Sequence, residues 1–232
     1  MGREPPGGDR TEFGPSSGRS DRREFLKLAA LGAAALALPA AVSGCATFPF
    51  RHGHTLNFNE DFGVLNYAYA LETLEAEFYA KAVANPPADL KPGELDILKD
   101  IGVHEAAHRR FLKRALGPFG TADAEVDLSS IDFRTRQGLL TQAQMFEDLG
   151  VAGYNGAARR LRLAEFLTIA GKIVSVEARH AAAIRNMLQP NSRYAAGAGV
   201  IDAHGKDRAL PPQEVLAMTK HFFKTQFKVI GL

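Results

Sequence analysis

Apolar side chains recur every three or four residues through most of the chain after residue 58, a spacing typical of helices with one buried face. The first such segment starts near Asn59 and stops at the turn-forming sequence Asn85–Pro87. Three further long helices and a last amphipathic helix are predicted over about residues 93–116, 135–160, 161–188 and 213–228. Because no alternating strand pattern of useful length appears, the sequence predicts an all-α fold of four long helices with an additional C-terminal helix.

The first 45 residues have the pattern of an export signal. Arg22 and Arg23 precede an uncharged run, rich in Ala and Leu, from Leu28 to Val42, and this arrangement resembles a twin-arginine signal peptide. The run is shorter than the roughly 18–20 apolar residues that span a bilayer, and it lacks the polar stripe of an amphipathic helix. It ends at Ser43-Gly44-Cys45, which resembles a lipobox, the signal for attaching lipid to the cysteine after cleavage.

These resemblances imply a destination and two partners. We expect the twin-arginine machinery to export the chain to the periplasm or cell envelope, and lipid on Cys45 to anchor it to the membrane. Ordinary cleavage nearby, with Cys45 incidental, is the alternative. The predicted organisation is a signal peptide over residues 1–45, a tether over 46–58 and one helical bundle domain over 59–232.

Composition excludes several other classes of protein. Hydrophobic residues make up 46% and charged residues 23% of the chain, as in globular proteins. The formal net charge of +2 gives no electrostatic case for binding nucleic acid. A single Cys excludes an internal disulfide framework and any Cys-rich metal site.

A repeated motif in the four long helices points to metal chemistry. Two helices carry Glu-x-x-His, whose side chains face the same way and can bind one metal together. The other two helices each carry an inward Glu seven residues before a Tyr, which places that pair two turns apart on one face. The motif residues are Glu105, His108, Glu177 and His180, and the Glu–Tyr pairs are Glu72 with Tyr79 and Glu147 with Tyr154.

Four carboxylates and two imidazoles at one level of a bundle core are the ligand set of dinuclear carboxylate proteins. Carboxylates buried side by side repel one another, and two divalent cations would neutralise them. Hard oxygen donors with imidazole suit iron or manganese, iron being preferred, and zinc is also compatible. Glu75 and Glu77 compete with Glu72 for its role, but only Glu72 has a Tyr at the spacing found in the third helix.

Four stretches, over residues 71–79, 104–108, 146–154 and 176–180, together resemble the ferritin-like superfamily, in particular an exported bacterial branch related to desiccation-related proteins. The resemblance covers residues 57–188 or so. It implies that Glu105 and Glu177 bridge two metals, that Glu72 and Glu147 are terminal ligands, and that each His binds one metal. It further implies oxidoreductase chemistry on oxygen, peroxide or ferrous iron, in stress or metal handling.

The two tyrosines are expected to donate hydrogen bonds to the metal ligands. Plain packing of Tyr79 and Tyr154, with their hydroxyl groups satisfied elsewhere, is the open alternative. Four histidines outside the repeated motifs are expected to be solvated: His52, His54, His204 and His221.

Two other functions compete with a dinuclear centre. The sequence from His104 to His108 also fits His-Glu-x-x-His of zinc proteases, with Glu105 as general base. No third His follows at the usual spacing, and a protease leaves Glu147 and His180 unexplained. The other alternative is a non-catalytic envelope lipoprotein that serves as a scaffold. The sequence leaves open whether the chain forms a homo-oligomer.

Overall fold

The computed structural model describes residues 53–191 and 199–232, so the export signal with Arg22, Arg23 and Cys45, as well as His52, lies outside the described residues. Apart from two short 3-10 helices, seven helices and strands follow one another in the described residues. They are β1 (Thr55–Asn57), α1 (Asp61–Ala84), α2 (Glu94–Leu116), α3 (Arg136–Ala158), α4 (Ala164–Leu188), α5 (Pro212–Thr219) and β2 (Lys228–Ile230). The predicted all-α bundle of four long helices is confirmed.

Local sequence explains where the long helices begin and end. Gly93 precedes α2 with φ of 84°, and Gly117 follows it with φ of 49°, conformations that glycine adopts most easily. At the start of α3, the hydroxyl group of Thr135 accepts a hydrogen bond from the backbone N–H of Gly138 at 3.1 Å. The four predicted ranges therefore agree with the structure to within a few residues.

The C-terminal helix is shorter than predicted. The amphipathic pattern predicted a helix over residues 213–228, but α5 ends at Thr219 and a 3-10 turn follows at Lys220–Phe222. Phe222 then packs edge-to-face on Phe146 of α3, with ring centroids 5.0 Å apart. Burial of this side chain redirects the backbone, which forms hydrogen bonds with residues 125–127 and continues into β2.

The end of the predicted tether belongs to the folded domain. Leu56 is fully buried in β1, which pairs in parallel with β2 from the far end of the described chain. The next apolar residue, Phe58, is also buried. A three-residue strand is too short to produce an alternating pattern, so this pairing could not be predicted from local sequence.

The bundle consists of two helical hairpins, α1 with α2 and α3 with α4. Along α1, Leu65 and Tyr69 belong to one apolar cluster, whereas Phe78 and Tyr79 belong to another. Glu72 lies between these two groups, so a polar layer crosses the bundle between apolar layers. None of the described helices is long and apolar enough to cross a membrane.

The described residues, 53–191 and 199–232, belong to one compact unit. The three apolar clusters of the described residues lie within it, and β1 and β2 join the two ends of its described chain. A unit with its own hydrophobic core is what independent folding requires. A fragment of residues 46–232 is therefore the natural form for experiments in solution.

Candidate metal centre

All six predicted ligand residues meet between the four long helices. They form two groups of four, and within each group one ligand atom per residue lies within 4.8 Å of the others. Glu105 of α2 and Glu177 of α4 belong to both groups. The first group adds Glu72 and His108, and the second adds Glu147 and His180.

The centre lies deep inside the bundle. The four glutamates are fully buried, and His180 is 4% exposed. An isolated buried carboxylate is strongly disfavoured, because the protein interior solvates charge poorly. Four of them in one layer therefore require positive charge nearby.

Both histidines direct Nδ1 toward the carboxylates. Nδ1 of His108 lies 3.0 Å from Oε1 of Glu177, 3.3 Å from Oε2 of Glu72 and 3.4 Å from Oε2 of Glu105. Nδ1 of His180 lies 2.7 Å from Oε1 of Glu105 and 3.4 Å from Oε2 of Glu147. The imidazoles of α2 and α4 therefore enter the same layer of carboxylates, one from each hairpin.

Many of these inward atoms lack a well-formed hydrogen bond within the described chain, despite their short separations. They are Oε2 of Glu72, Glu75 and Glu147, both carboxylate oxygens of Glu105 and Glu177, and Nδ1 of His108 and His180. Buried polar atoms are nearly always satisfied in native proteins. Carboxylate oxygens and imidazole nitrogens that converge without partners fit divalent iron or manganese as ligands.

Each tyrosine donates a hydrogen bond to Oε1 of a glutamate on the other helix, so the two bonds run crosswise between α1 and α3. Tyr79 of α1 donates a hydrogen bond to Oε1 of Glu147 on α3. Tyr154 of α3 donates to Oε1 of Glu72 on α1 at 2.6 Å. Each hydroxyl group thereby orients one carboxylate so that its other oxygen, Oε2, faces the interior of the centre.

Burial and mutual repulsion give the carboxyl groups different pKa values. Burial, reinforced by the charge of Glu105, raises the pKa of Glu72 to about 8. Burial and the charges of Glu72 and Glu105 raise the pKa of Glu177 well above its usual range. Burial alone would also raise the pKa of Glu105, but its close contacts with His108 and His180 outweigh burial and lower the pKa to about 2.

The histidines supply the positive charge when no metal is present. Burial lowers the pKa of His108, but its contacts with Glu105, Glu177 and Glu72 outweigh burial and raise the pKa to about 12. Contacts with Glu105 and Glu147 likewise outweigh burial and raise the pKa of His180 to about 10. The metal-free centre thus holds protons in positions that cations would otherwise occupy.

Glu75 is a further buried carboxyl group that the sequence analysis ranked below Glu72. It is 3% exposed, and burial followed by the charges of Glu177 and Glu105 raises its pKa well above the usual range. A Cβ atom at Gly150 would lie 3.1 Å from Oε1 of Glu75 and 3.0 Å from Oε2 of Glu177. Its inward position could have been predicted from its spacing to Glu72, because residues three apart share a helix face. Glu72 and Glu75 both face inward.

His104 lies at the edge of the centre and not within it. Its side chain is exposed, and its Nδ1 lies 3.0 Å from Nε2 of His180, with the two rings stacked at 5.2 Å. Among the described residues, neither group that could hold a metal contains His104. This geometry does not support the zinc-protease alternative, which requires His104 and His108 on one ion.

The remaining described histidines lie away from the centre. Nε2 of His54 lies 3.4 Å from the backbone oxygen of Asp123. His204 and His221 are exposed. His204 and His221 are therefore solvated, as predicted, whereas His54 is half-buried and its ring packs edge-on against Phe227.

A four-helix bundle with two inward Glu-x-x-His motifs and two further inward glutamates defines the class of ferritin-like carboxylate proteins. Comparison with protein families agrees, because the model of the ferritin-like domain matches residues 60–190. The chain therefore belongs to the ferritin-like domain family. No curated protein matches the chain.

Proposed function

We propose that this chain is an exported protein that binds two metal ions in its buried centre and uses them as an oxidoreductase. The observation that carries the proposal is the convergence of unpartnered carboxylate oxygens and imidazole nitrogens in two groups that share Glu105 and Glu177. Iron is the preferred metal, followed by manganese, with zinc as a third candidate.

The shared residues support a definite assignment of ligands. Glu105 and Glu177 would bridge the two metals, because each contributes an atom to both groups. Glu72 and His108 would complete one metal position, and Glu147 and His180 the other. Two divalent cations carry four positive charges, which equals the charge of the four ionised carboxylates.

The chain's own residues prepare the centre for chemistry. Two bound iron or manganese ions would supply one-electron redox chemistry toward oxygen, peroxide or ferrous iron. Tyr79 and Tyr154 hold the terminal carboxylates in place through their hydroxyl groups. The apolar layers on either side of the centre exclude water, which strengthens the interaction of the carboxylates with cations.

The proposed setting is the cell envelope. Arg22 and Arg23 in front of the apolar run support export by the twin-arginine route, and Cys45 after small residues supports a lipid anchor. Export in the folded state suits a protein whose metals are buried. The physiological role would then be protection against oxidative stress or the handling of metal ions.

The test is a count of metals per chain. The 46–232 fragment is purified from cells supplied with iron and manganese and measured by elemental mass spectrometry. The Glu105→Ala/Glu177→Ala double variant is measured alongside, with Glu77→Ala as control, because Glu77 on α1 is 49% exposed and bonds Arg109. We expect about two metals per chain in the wild type and the control, and loss of metal in the double variant.

Oxidation of ferrous iron and consumption of peroxide are then assayed on the loaded fragment. Two metals without either activity would refute the oxidoreductase and leave a metal-binding protein. No metal after reconstitution would refute the dinuclear centre and leave an envelope scaffold. A single zinc that survives Glu177→Ala but not His104→Ala would instead favour the protease.

A further inference from the structure

A cavity lies beside the centre, between α1, α3 and α4. Its wall includes Ala68 and Leu71 from α1, Tyr154 and Ala157 from α3, and Ala170 from α4. Leu71 immediately precedes the proposed ligand Glu72 in α1. The cavity meets the metal position of Glu72 and His108 through Tyr154, which lines the cavity and donates a hydrogen bond to Glu72.

The wall of the cavity is apolar almost throughout. The only polar side-chain groups among its lining residues are the hydroxyl groups of two tyrosines. The hydroxyl of Tyr154 is engaged with Glu72, and that of Tyr67 has no hydrogen-bond partner among the described residues. These two hydroxyl groups are the only side-chain partners that the wall offers, so a bound water would form few hydrogen bonds there.

The size of the cavity restricts the occupant to a small molecule. The midpoint of a water-sized molecule can move through a volume of about 30 Å³ in this cavity. One water requires roughly 10–15 Å³ by this measure, so a diatomic molecule fits. Because the wall offers little hydrogen bonding, an apolar gas is favoured over a polar molecule of equal size.

The side chain of Tyr154 separates the cavity from the metal centre. Its side chain lines the cavity, and its hydroxyl group donates to Oε1 of Glu72 at 2.6 Å. A molecule in the cavity is thus separated from a metal ligand by one side chain. A change in the rotamer of Tyr154 would connect the two spaces.

We propose that this cavity is a binding site for dioxygen, from which dioxygen enters the metal centre past Tyr154. The binding of a small apolar molecule follows from the shape and the chemistry of the cavity alone. The choice of dioxygen rests on the proposed function. Hydrogen peroxide, which is polar, would not use this site.

Xenon tests the site without any metal, because it is apolar, of comparable size and strong in X-ray scattering. Crystals of the 46–232 fragment, prepared metal-free, are pressurised with xenon. We expect a xenon atom between Ala68, Ala157 and Ala170. If this cavity stays empty at saturating pressure, the proposal is overturned. That holds whether xenon binds elsewhere in the crystal or does not bind at all.

A matched pair of variants tests the route. Ala170→Leu places a larger side chain in the cavity wall, whereas Ala182→Leu makes the same change at another half-buried position of α4 that does not line the cavity. We expect Ala170→Leu, but not Ala182→Leu, to abolish xenon binding. Circular dichroism and metal content verify that both variants fold and load.

The rate of oxidation of the ferrous-loaded protein is then measured with dioxygen and with hydrogen peroxide. Ala170→Leu should slow the reaction with dioxygen about tenfold and leave the reaction with peroxide within twofold of wild type. Equal slowing of both reactions, or no slowing of either, would overturn the dioxygen route. Failure of the wild type to bind metal would refute the proposed function, whereas xenon binding would still establish the apolar site.

Discussion

His104 is exposed to solvent, yet it contacts the centre through one nitrogen atom, which lies against His180. When Nε2 of His180 carries the proton, it donates to Nδ1 of His104 at 3.0 Å and leaves Nδ1 of His180 free to bind a metal. Nε2 of His108 has no comparable partner among the described residues. If the proposed metals bind, His104 would be a positioning residue for the metal position of His180 and not for that of His108.

Replacement of His104 should weaken metal binding at the His180 position. His104→Leu removes the hydrogen-bond acceptor, and loss of such an outer partner lowers metal affinity by about 10–100-fold. His104→Asn retains an oxygen near the position of Nδ1 and should bind close to wild type. Competition with a chelator measures both affinities. Equal binding by the Leu variant and the wild type, or equal loss in both variants, would contradict a positioning role.

Which side chains face inward was predictable from helical spacing, but their partners were not. Glu72 and Tyr79 share a face of α1, as do Glu147 and Tyr154 on α3. The spacing along one helix does not specify which hairpin lies opposite, so the crosswise hydrogen bonds required the structure. The Tyr spacing favoured Glu72 over Glu75, but that spacing carries no information on the gap left by Gly150 on α3, which accommodates the carboxyl group of Glu75.

At the scale of elements, α3 is unusual for its glycines at positions 150, 153 and 156. Glycine in a helix interior weakens the helix and either marks a break or allows a neighbour to approach closely. The helix continues through all three, and each glycine faces a close neighbour. A Cβ atom at Gly156 would lie 1.7 Å from the backbone oxygen of Leu210, so the segment before α5 packs directly against α3.

Alanine substitutions should separate this contact from helix propensity. Gly156→Ala should destabilise the protein by about 3 kcal/mol, because the backbone of residue 210 must move. Gly171→Ala in α4, where a new Cβ atom meets nothing within 4 Å, should stabilise it by about 0.5–1 kcal/mol. Urea unfolding of both variants measures the difference. A Gly156→Ala variant as stable as the wild type would contradict the observed packing.

The elements that sequence could predict are those that local periodicity defines. The four long helices each extend over more than five turns, and α1 is buried on nearly all sides from Gly63 to Ala76. In contrast, β1 and β2 are three residues each, and their pairing joins Leu56 with Val229 across almost the whole domain. Such long-range pairing leaves no local signal, and this is why the C-terminal helix was predicted to be too long.

At the scale of the whole molecule, the metal-free protein should become less stable as pH rises. The pKa values of Glu72, His180 and His108, about 8, 10 and 12, all lie above their ordinary values in the unfolded chain. The folded state therefore holds more protons than the unfolded state above pH 7. Groups with raised pKa values stabilise the fold at low pH, and that stabilisation is lost as pH rises through the folded pKa.

Between pH 6.5 and about 9, the free energy of unfolding of the metal-free fragment should fall. The slope is about 1.4 kcal/mol per pH unit for each additional proton that the folded state holds. Metal displaces these protons, so the loaded fragment should show a weaker or opposite slope. Urea unfolding at several pH values, with and without metal, measures both slopes. A metal-free fragment that gains stability with rising pH would contradict the proton assignment.

The central claim is that two metals share Glu105 and Glu177 within one bundle. Anomalous X-ray diffraction at the iron or manganese edge, on crystals of the loaded 46–232 fragment, tests it most directly. The account predicts two anomalous peaks roughly 3.5–4 Å apart, one beside Glu72 and His108 and the other beside Glu147 and His180. A single peak held by His104 and His108, or no peak between the four helices, would contradict it.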